Sequence, residues 1–362
     1  MDYATLLNNF IYLFGFADSH MRCTLVNKSS QMGVLERFLI TSSQNAYIKG
    51  FAFDQMNMLS LLQMTGYYHE LFSVGIRLEE VVEWFFKEYL SSEFDAHNFN
   101  VTMPSANPTL LEKCTNIMPA MESVLKQFSL FVQEGQIDFE LLEIRSEHLI
   151  YNSIPSLVTK KYAYGVKDEF KNATFLLFSD QSGLGYNEKA KESYNNFYEL
   201  LCDEKFKIDD YPDYCISQIN WLVDRKYLSI DGEEYIIFGD KLLIMILKDL
   251  HFNEVISYWK YSESGRKIMD ELEKENVIEL ESSLSSRPEQ DYINYFLNKS
   301  QFNNALDLRN KYSHTQPNSD NDEKFHNQNY MIFLQLFILS IIKINDDFCL
   351  SDEINNVKKD VV

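Results

Sequence analysis

The feature that most constrains the fold is an apolar run near the C-terminus, MIFLQLFILSII, from Met331 to Ile342. The run contains Gln335 and is shorter than the roughly 20 apolar residues that a membrane-spanning helix needs. We therefore predict a buried helix of a helical bundle, in a soluble protein that makes no contact with a membrane.

Most of the chain has the apolar spacing of amphipathic helices, so the predicted fold class is mainly α. The segment Leu78 to Leu90, LEEVVEWFFKEYL, places its apolar residues at three- and four-residue intervals, which creates one apolar face. Leu110 to Val132 has a similar pattern. We assign residues 1–150 to a helical N-terminal region.

Residues 151–239 read as a mixed α/β segment that is winged-helix-like in its second half. Tyr214 to Leu228 predicts a short helix, and the two alternating runs after it are joined by Asp231 and Gly232. Asp-Gly between such runs predicts a β-hairpin with a type I′ turn, which needs positive φ at both central residues. No internal repeat is visible in the sequence.

Charge and cysteine usage exclude several classes of function. The formal net charge is -21, and the predicted hairpin carries Asp231, Glu233 and Glu234, so phosphate would repel it. DNA binding is therefore not expected, and we predict a packing or interaction module.

The five cysteines show no CxxC spacing, and the N-terminus lacks a basic region that would mark a secretory signal. A cytoplasmic protein fits these features best.

Residues 240–350 divide into four helical segments joined by short turns, which favours an antiparallel bundle. The apolar run lies in the fourth segment, and Ser286 to Pro288 provides the turn before the third. Residues 351–362 are expected to form a polar tail.

One short stretch at the end of the third segment, Leu306 to Gln316 or LDLRNKYSHTQ, places an arginine beside the core. On a helical wheel drawn from Phe302, Arg309 falls within the apolar arc that contains Leu308 and Tyr312. A guanidinium there needs an acidic partner, a water-filled groove or a bound anion. Alternatively, Arg309 extends outward and pairs with a carboxylate such as Asp307 or one on a neighbouring helix, while His314 caps the helix C-terminus.

Arg309, Asn310 and His314, spaced as R-N-x-x-x-H, resemble the motif of the HEPN superfamily, and the resemblance covers roughly residues 240–350. It implies a metal-independent endoribonuclease, of the kind found among toxins and antiphage abortive-infection effectors, with no cofactor. In such a site His314 would transfer a proton, Arg309 would hold the phosphate, and Asn310 would orient the imidazole or the phosphate.

A single motif supplies one histidine for two proton transfers, so a homodimer with paired motifs is expected, as in other HEPN ribonucleases. His326 and His251 are further candidates for the site. The expected partners are an RNA substrate and a regulatory protein or antitoxin. The alternative function is a non-catalytic HEPN-like module that binds a nucleotide or stabilises a dimer.

Overall fold

The structure is a computed structural model, which describes residues 2–33, 35, 36, 39, 43, 45–144, 149–313 and 323–360. It is mainly helical with two small antiparallel sheets, which confirms the predicted class at that level. The chain forms two compact units, Met1–Thr159 with Ser282–Val362, and Lys160–Glu281.

The elements follow one another along the chain as a series of helices interrupted by five short strands. The helices are α1 Tyr3–Tyr12, α2 Phe51–Ser73, α3 Leu78–Trp84, α4 Leu90–Phe94, α5 Leu110–Glu134, α6 Phe139–Ile144, α7 Lys167–Phe178, α8 Phe197–Asp203, α9 Asp213–Asp224, α10 Lys241–Asn253, α11 Glu263–Lys274, α12 Arg287–Leu297, α13 Leu308–Ser313 and α14 Glu323–Asp360. A π-helical turn, Phe85–Tyr89, joins α3 to α4. The strands are β1 Tyr162–Gly165, β2 Leu228–Ile230, β3 Ile236–Phe238, β4 Ile256–Ser257 and β5 Ile278–Glu281.

The core of the first unit is built along α14, which packs against α5 and α2. The apolar run of the sequence lies within α14 and is buried, as predicted. Helix α5 begins with a capping box between Thr109 and Glu112 and ends at Gly135, whose φ of 73° suits a glycine. Among the described residues, no helix is long and apolar enough to cross a membrane.

The compact units differ from the regions expected from the sequence. The expected boundary at residue 239 falls inside the second unit, so α10 and α11 do not share a bundle with α12 to α14. The last three helices belong instead to the same unit as α2 and α5 from the N-terminal region. Residues 351–360, expected as a tail, continue α14. Helical periodicity identifies the apolar face of a segment, and it does not identify the partner of that face.

In the second unit, α9 is followed by the hairpin of β2 and β3, as predicted, but its turn is of another type. Gly232 does not have positive φ, whereas Glu234 has a φ of 70°. The Asp231 side chain accepts hydrogen bonds from the backbone N–H groups of Glu233 and Tyr235, both 2.9 Å long. The type I′ prediction was wrong because the aspartate carboxylate organises a longer loop.

The second unit contains an internal repeat that the sequence does not reveal. A 3₁₀ turn at Ile208–Asp210, α9 and β2 recur 50 residues later as Tyr258–Lys260, α11 and β5. Buried positions recur with the same offset; they are Cys215 and Gly265, Ile219 and Met269, Leu222 and Leu272, Tyr227 and Val277, and Leu228 and Ile278. The two copies share a burial pattern, and their residue types differ at all five pairs.

The first element of this unit, β1, pairs with β4 and β5, which lie at the start and at the end of the second copy of the repeat. Strand β1 lies between β4 and β5, antiparallel to both, and Tyr162 is the register partner of Glu281. The chain therefore enters and leaves the unit at paired residues, which explains how it forms a compact insertion between Thr159 and Ser282.

Candidate functional site

The helix that was expected to carry the motif is divided into α12 and α13 by a loop. Phe302, from which the helical wheel was drawn, lies in that loop, so the wheel applies only to the residues of α13. Asn304 exchanges two hydrogen bonds of 2.9 Å with the backbone of Tyr47, and the Leu306 N–H donates to the Tyr295 carbonyl. Asparagine favours such contacts over helix, which accounts for the break.

Helix α13 is anchored by two buried side chains, Leu308 and Tyr312, which are 0% and 4% exposed. Between them, the Arg309 side chain is 18% exposed, and its Nη2 lies 3.2 Å from Oε1 of Glu122 on α5. Arg309 is half-buried, and its partner is a carboxylate from a neighbouring helix, which is the structural alternative expected from the sequence. Asp307, the other partner expected there, instead accepts a hydrogen bond of 2.8 Å from Nδ2 of Asn310.

The surroundings of the Arg309–Glu122 pair are poor in solvent. Tyr151 is buried beside it, and its hydroxyl has no hydrogen-bond partner within the described part of the chain. Burial, and then the charge of Glu122, raise the pKa of the Tyr151 hydroxyl far above its usual range. The pair is therefore shielded from solvent, which strengthens its attraction, although Oε1 of Glu122 accepts no aligned hydrogen bond from the described residues.

The motif is only partly described. Asn310 is exposed on α13, whereas His314 lies outside the described residues, so its placement relative to Arg309 stays a prediction. His251 belongs to the second unit, where its ring lies 5.5 Å from the ring of Phe178.

His326, the other candidate from the sequence, lies against the motif helix. Its Nδ1 is 2.9 Å from the Tyr312 hydroxyl, and that hydroxyl also accepts a hydrogen bond of 2.9 Å from Nδ2 of Asn329. The Cys114 thiol donates to the His326 carbonyl at 3.4 Å. Burial raises the pKa of Cys114 to about 12, so this thiol is a structural donor rather than a nucleophile.

A second group of side chains, on the loop after α4, was not singled out from the sequence. Ser91 Oγ lies 2.6 Å from Nδ1 of His97, and Nε2 of the same ring lies 2.8 Å from Asp95 Oδ1. The residue types are those of a hydrolytic triad, but the ring nitrogens are exchanged, because the serine lies at Nδ1 and the aspartate at Nε2, and the Asp95 side chain is 93% exposed. We interpret the group as the cap of a helix end.

The described residues contain no group of three or more His, Cys, Asp or Glu side chains that could hold a metal ion. Comparisons with protein-family models, with curated proteins and with solved structures find no match. The chemistry assigned to this chain therefore has to be argued from its own residues.

Proposed function

We propose that this protein is a metal-independent endoribonuclease of the HEPN type. The observation that supports the proposal best is the presentation of Arg309 and Asn310 on α13. Leu308 and Tyr312 hold this short helix against the bundle, while the Asn310 side chain faces solvent and Arg309 stays partly accessible. A partly accessible guanidinium beside an exposed amide suits recognition of a phosphodiester, which would compete with Glu122 for Arg309 and with Asp307 for Asn310.

In the proposed reaction the ribose 2′-oxygen attacks the adjacent phosphorus and the bond to the 5′-oxygen breaks. Arg309 stabilises the negative charge that develops on the phosphorane oxygens, and Asn310 orients the phosphate. His314 transfers a proton in this scheme. The products are a 2′,3′-cyclic phosphate and a 5′-hydroxyl.

The Arg309–Glu122 pair favours a second candidate function. A guanidinium already neutralised by a carboxylate stabilises the bundle without any substrate. In that case the protein is a non-catalytic HEPN-like module that binds a nucleotide or supports a dimer.

The test is incubation of the purified protein with total RNA and tRNA in EDTA, with analysis of the fragment ends. Arg309→Ala and His314→Ala are compared with Lys311→Ala, an exposed cation on the same helix that serves as the matched control. Cleavage by the wild type and the control alone, with cyclic phosphate ends, supports the ribonuclease. Intact RNA with every folded protein favours the non-catalytic module.

We also propose that the protein forms a homodimer through α2. The exposed side of this helix carries Met58, Leu59 and Leu62, which are 62%, 55% and 63% exposed, and no residue from Gln55 to His69 is charged. Exposed apolar patches of this kind mark interaction surfaces, and an uncharged face avoids the repulsion between two copies of so acidic a chain. Leu62→Glu is expected to give a monomer in sedimentation, whereas an unchanged mass would contradict this interface.

The family resemblance suggests defence against phage or toxin action in the cytoplasm, with the second unit acting as an interaction module for a regulatory partner or antitoxin. Expression in bacterial cells tests this setting. Growth arrest that His314→Ala abolishes would support it, and normal growth with abundant wild-type protein would contradict a toxin that acts without a trigger.

A further inference from the structure

Cleavage of RNA through a 2′,3′-cyclic phosphate needs two proton transfers. One group must accept the proton of the 2′-hydroxyl, and another must donate a proton to the leaving 5′-oxygen. The motif contributes one histidine per chain, so the second group must come from a partner copy or from elsewhere in the same chain. Within the described residues, His326 is the histidine that contacts the motif helix.

The imidazole of His326 shares one hydrogen bond with the motif helix, and two further contacts support that arrangement. Tyr312 follows Arg309 by one helical turn, and its hydroxyl lies 2.9 Å from Nδ1 of His326. Asn329, which is 4% exposed, donates to the same hydroxyl from α14. The thiol of Cys114 fixes the backbone of His326 from α5. The ring is therefore oriented as a histidine in a working site must be.

The contact with Tyr312 occupies one ring nitrogen of His326. Because a hydroxyl can both donate and accept a hydrogen bond, Nδ1 is its partner in either tautomer, and Nε2 is the ring nitrogen left for another partner. No hydrogen-bond partner of Nε2 lies among the described residues. The rings of Tyr312 and Phe325 pack against the imidazole, and the Cys114 thiol of α5 contacts the backbone carbonyl of His326.

We propose that Nε2 of His326 performs one of the two proton transfers, in the same chain as Arg309. The inference rests on the proposed ribonuclease function. As the new phosphorus–oxygen bond forms, one of the two imidazoles, that of His326 or that of His314, takes the proton of the 2′-hydroxyl. As the bond to the 5′-oxygen breaks, the other imidazole gives its proton to that oxygen. Solvent restores both rings. Tyr312 and Asn329 are positioning residues in this scheme.

The experiment measures the rate of RNA cleavage between pH 5 and 9 for the wild type, His326→Gln, Tyr312→Phe and His97→Gln. His97 is the matched control, because it is a surface histidine of the same unit with hydrogen bonds of its own. We expect His326→Gln to lower the rate by about 10²- to 10⁴-fold and to remove one limb of the pH profile. Tyr312→Phe should keep both limbs and shift one of them, since it removes only the partner of Nδ1.

The outcomes separate this inference from the function on which it rests. If the wild type cleaves RNA and His326→Gln keeps its rate and both limbs, His326 is not a proton-transfer group. If His326→Gln loses activity but its pH profile keeps the wild-type shape, the loss is structural and the inference is also overturned. A wild type that cleaves no RNA overturns both the inference and the proposed function. Circular dichroism of each variant confirms folding before any rate is compared.

Discussion

A buried ion pair in the first unit allows a sharp test of how the fold is stabilised. Lys343 Nζ on α14 lies 3.0 Å from Oε1 of Glu289 on α12, and both side chains are 5% exposed. Lys343 also donates to the carbonyl of Met21 at 2.8 Å, and the carboxylate accepts hydrogen bonds of 2.7 Å from the N–H groups of Cys23 and Ser286. The pair thus joins two helices to the segment after α1.

We expect Glu289→Gln to lower the free energy of unfolding by about 3–5 kcal/mol, because it leaves a buried ammonium without its counter-charge. Lys343→Met should cost a similar amount, and the double variant less than the sum of both, because each single change already removes the pair. Lys87→Met is the control. Its partner Glu83 is also 3.0 Å away, but that pair is 38% and 29% exposed and should contribute no more than about 1 kcal/mol.

The same pair predicts a pH dependence. Burial alone would raise the pKa of the Glu289 carboxyl, but the Lys343 ammonium and the backbone N–H groups of Cys23 and Ser286 outweigh it and hold that pKa below its ordinary value. A lowered folded-state pKa gives stability that is present above the unfolded pKa of about 4.3 and is lost as pH falls through the folded one. Glu289→Gln should therefore weaken the loss of stability below that pH.

The assay is urea unfolding followed by hydrogen exchange in peptides from α12 and α14, which reports on the first unit alone. The reasoning is refuted if Glu289→Gln costs no more than the Lys87→Met control. It is also refuted if the two single changes simply add, since groups in direct contact should be coupled.

Three further changes follow from local geometry. Lys226 and Asn276 are equivalent in the repeat and have φ of 63° and 60°, a left-handed conformation that asparagine adopts more readily than lysine. Lys226→Asn should therefore stabilise the second unit by up to about 1 kcal/mol, and Asn276→Lys should destabilise it by a similar amount. Thermal unfolding measures both changes. Gly239→Ala should cost about 1–3 kcal/mol in urea unfolding, because its Cβ would meet the Lys226 carbonyl oxygen at 2.2 Å. Tyr330→Phe removes one of two hydroxyl groups that donate to the buried Glu79 carboxylate, and hydrogen exchange in α14 should report a loss of about 1.5–3 kcal/mol.

Patterns within a few residues predicted individual helices and strands more reliably than they predicted which of these elements pack together. The buried run in α14 and the hairpin after α9 were both predicted because each depends on a pattern within a few residues. The repeat was missed because its copies share burial positions rather than residue types. The division into units was missed because the partners of α14, which are α5 and α2, lie more than 150 residues earlier in the chain.

The candidate site shows the same limit. The position of Arg309 beside apolar residues correctly predicted that the guanidinium would need a negative partner. The identity of that partner, Glu122, depends on how α13 packs against α5, which no pattern within the motif encodes. Residues 298–307 are rich in asparagine, which indicates a break before α13. The apolar spacing continues through them, and that spacing favoured a single helix instead.

The two readings of the motif differ in what they require of its neighbours. A purely structural Arg309 needs Glu122 and nothing more, because the ion pair alone compensates the buried charge. The buried Tyr312 hydroxyl needs hydrogen-bond partners in either case, and His326 and Asn329 supply them. A phosphodiesterase requires in addition that an imidazole near the cation transfer a proton. The two roles of His326 therefore differ in one respect, because only the catalytic role makes the pH dependence of RNA cleavage change when His326 is replaced by glutamine.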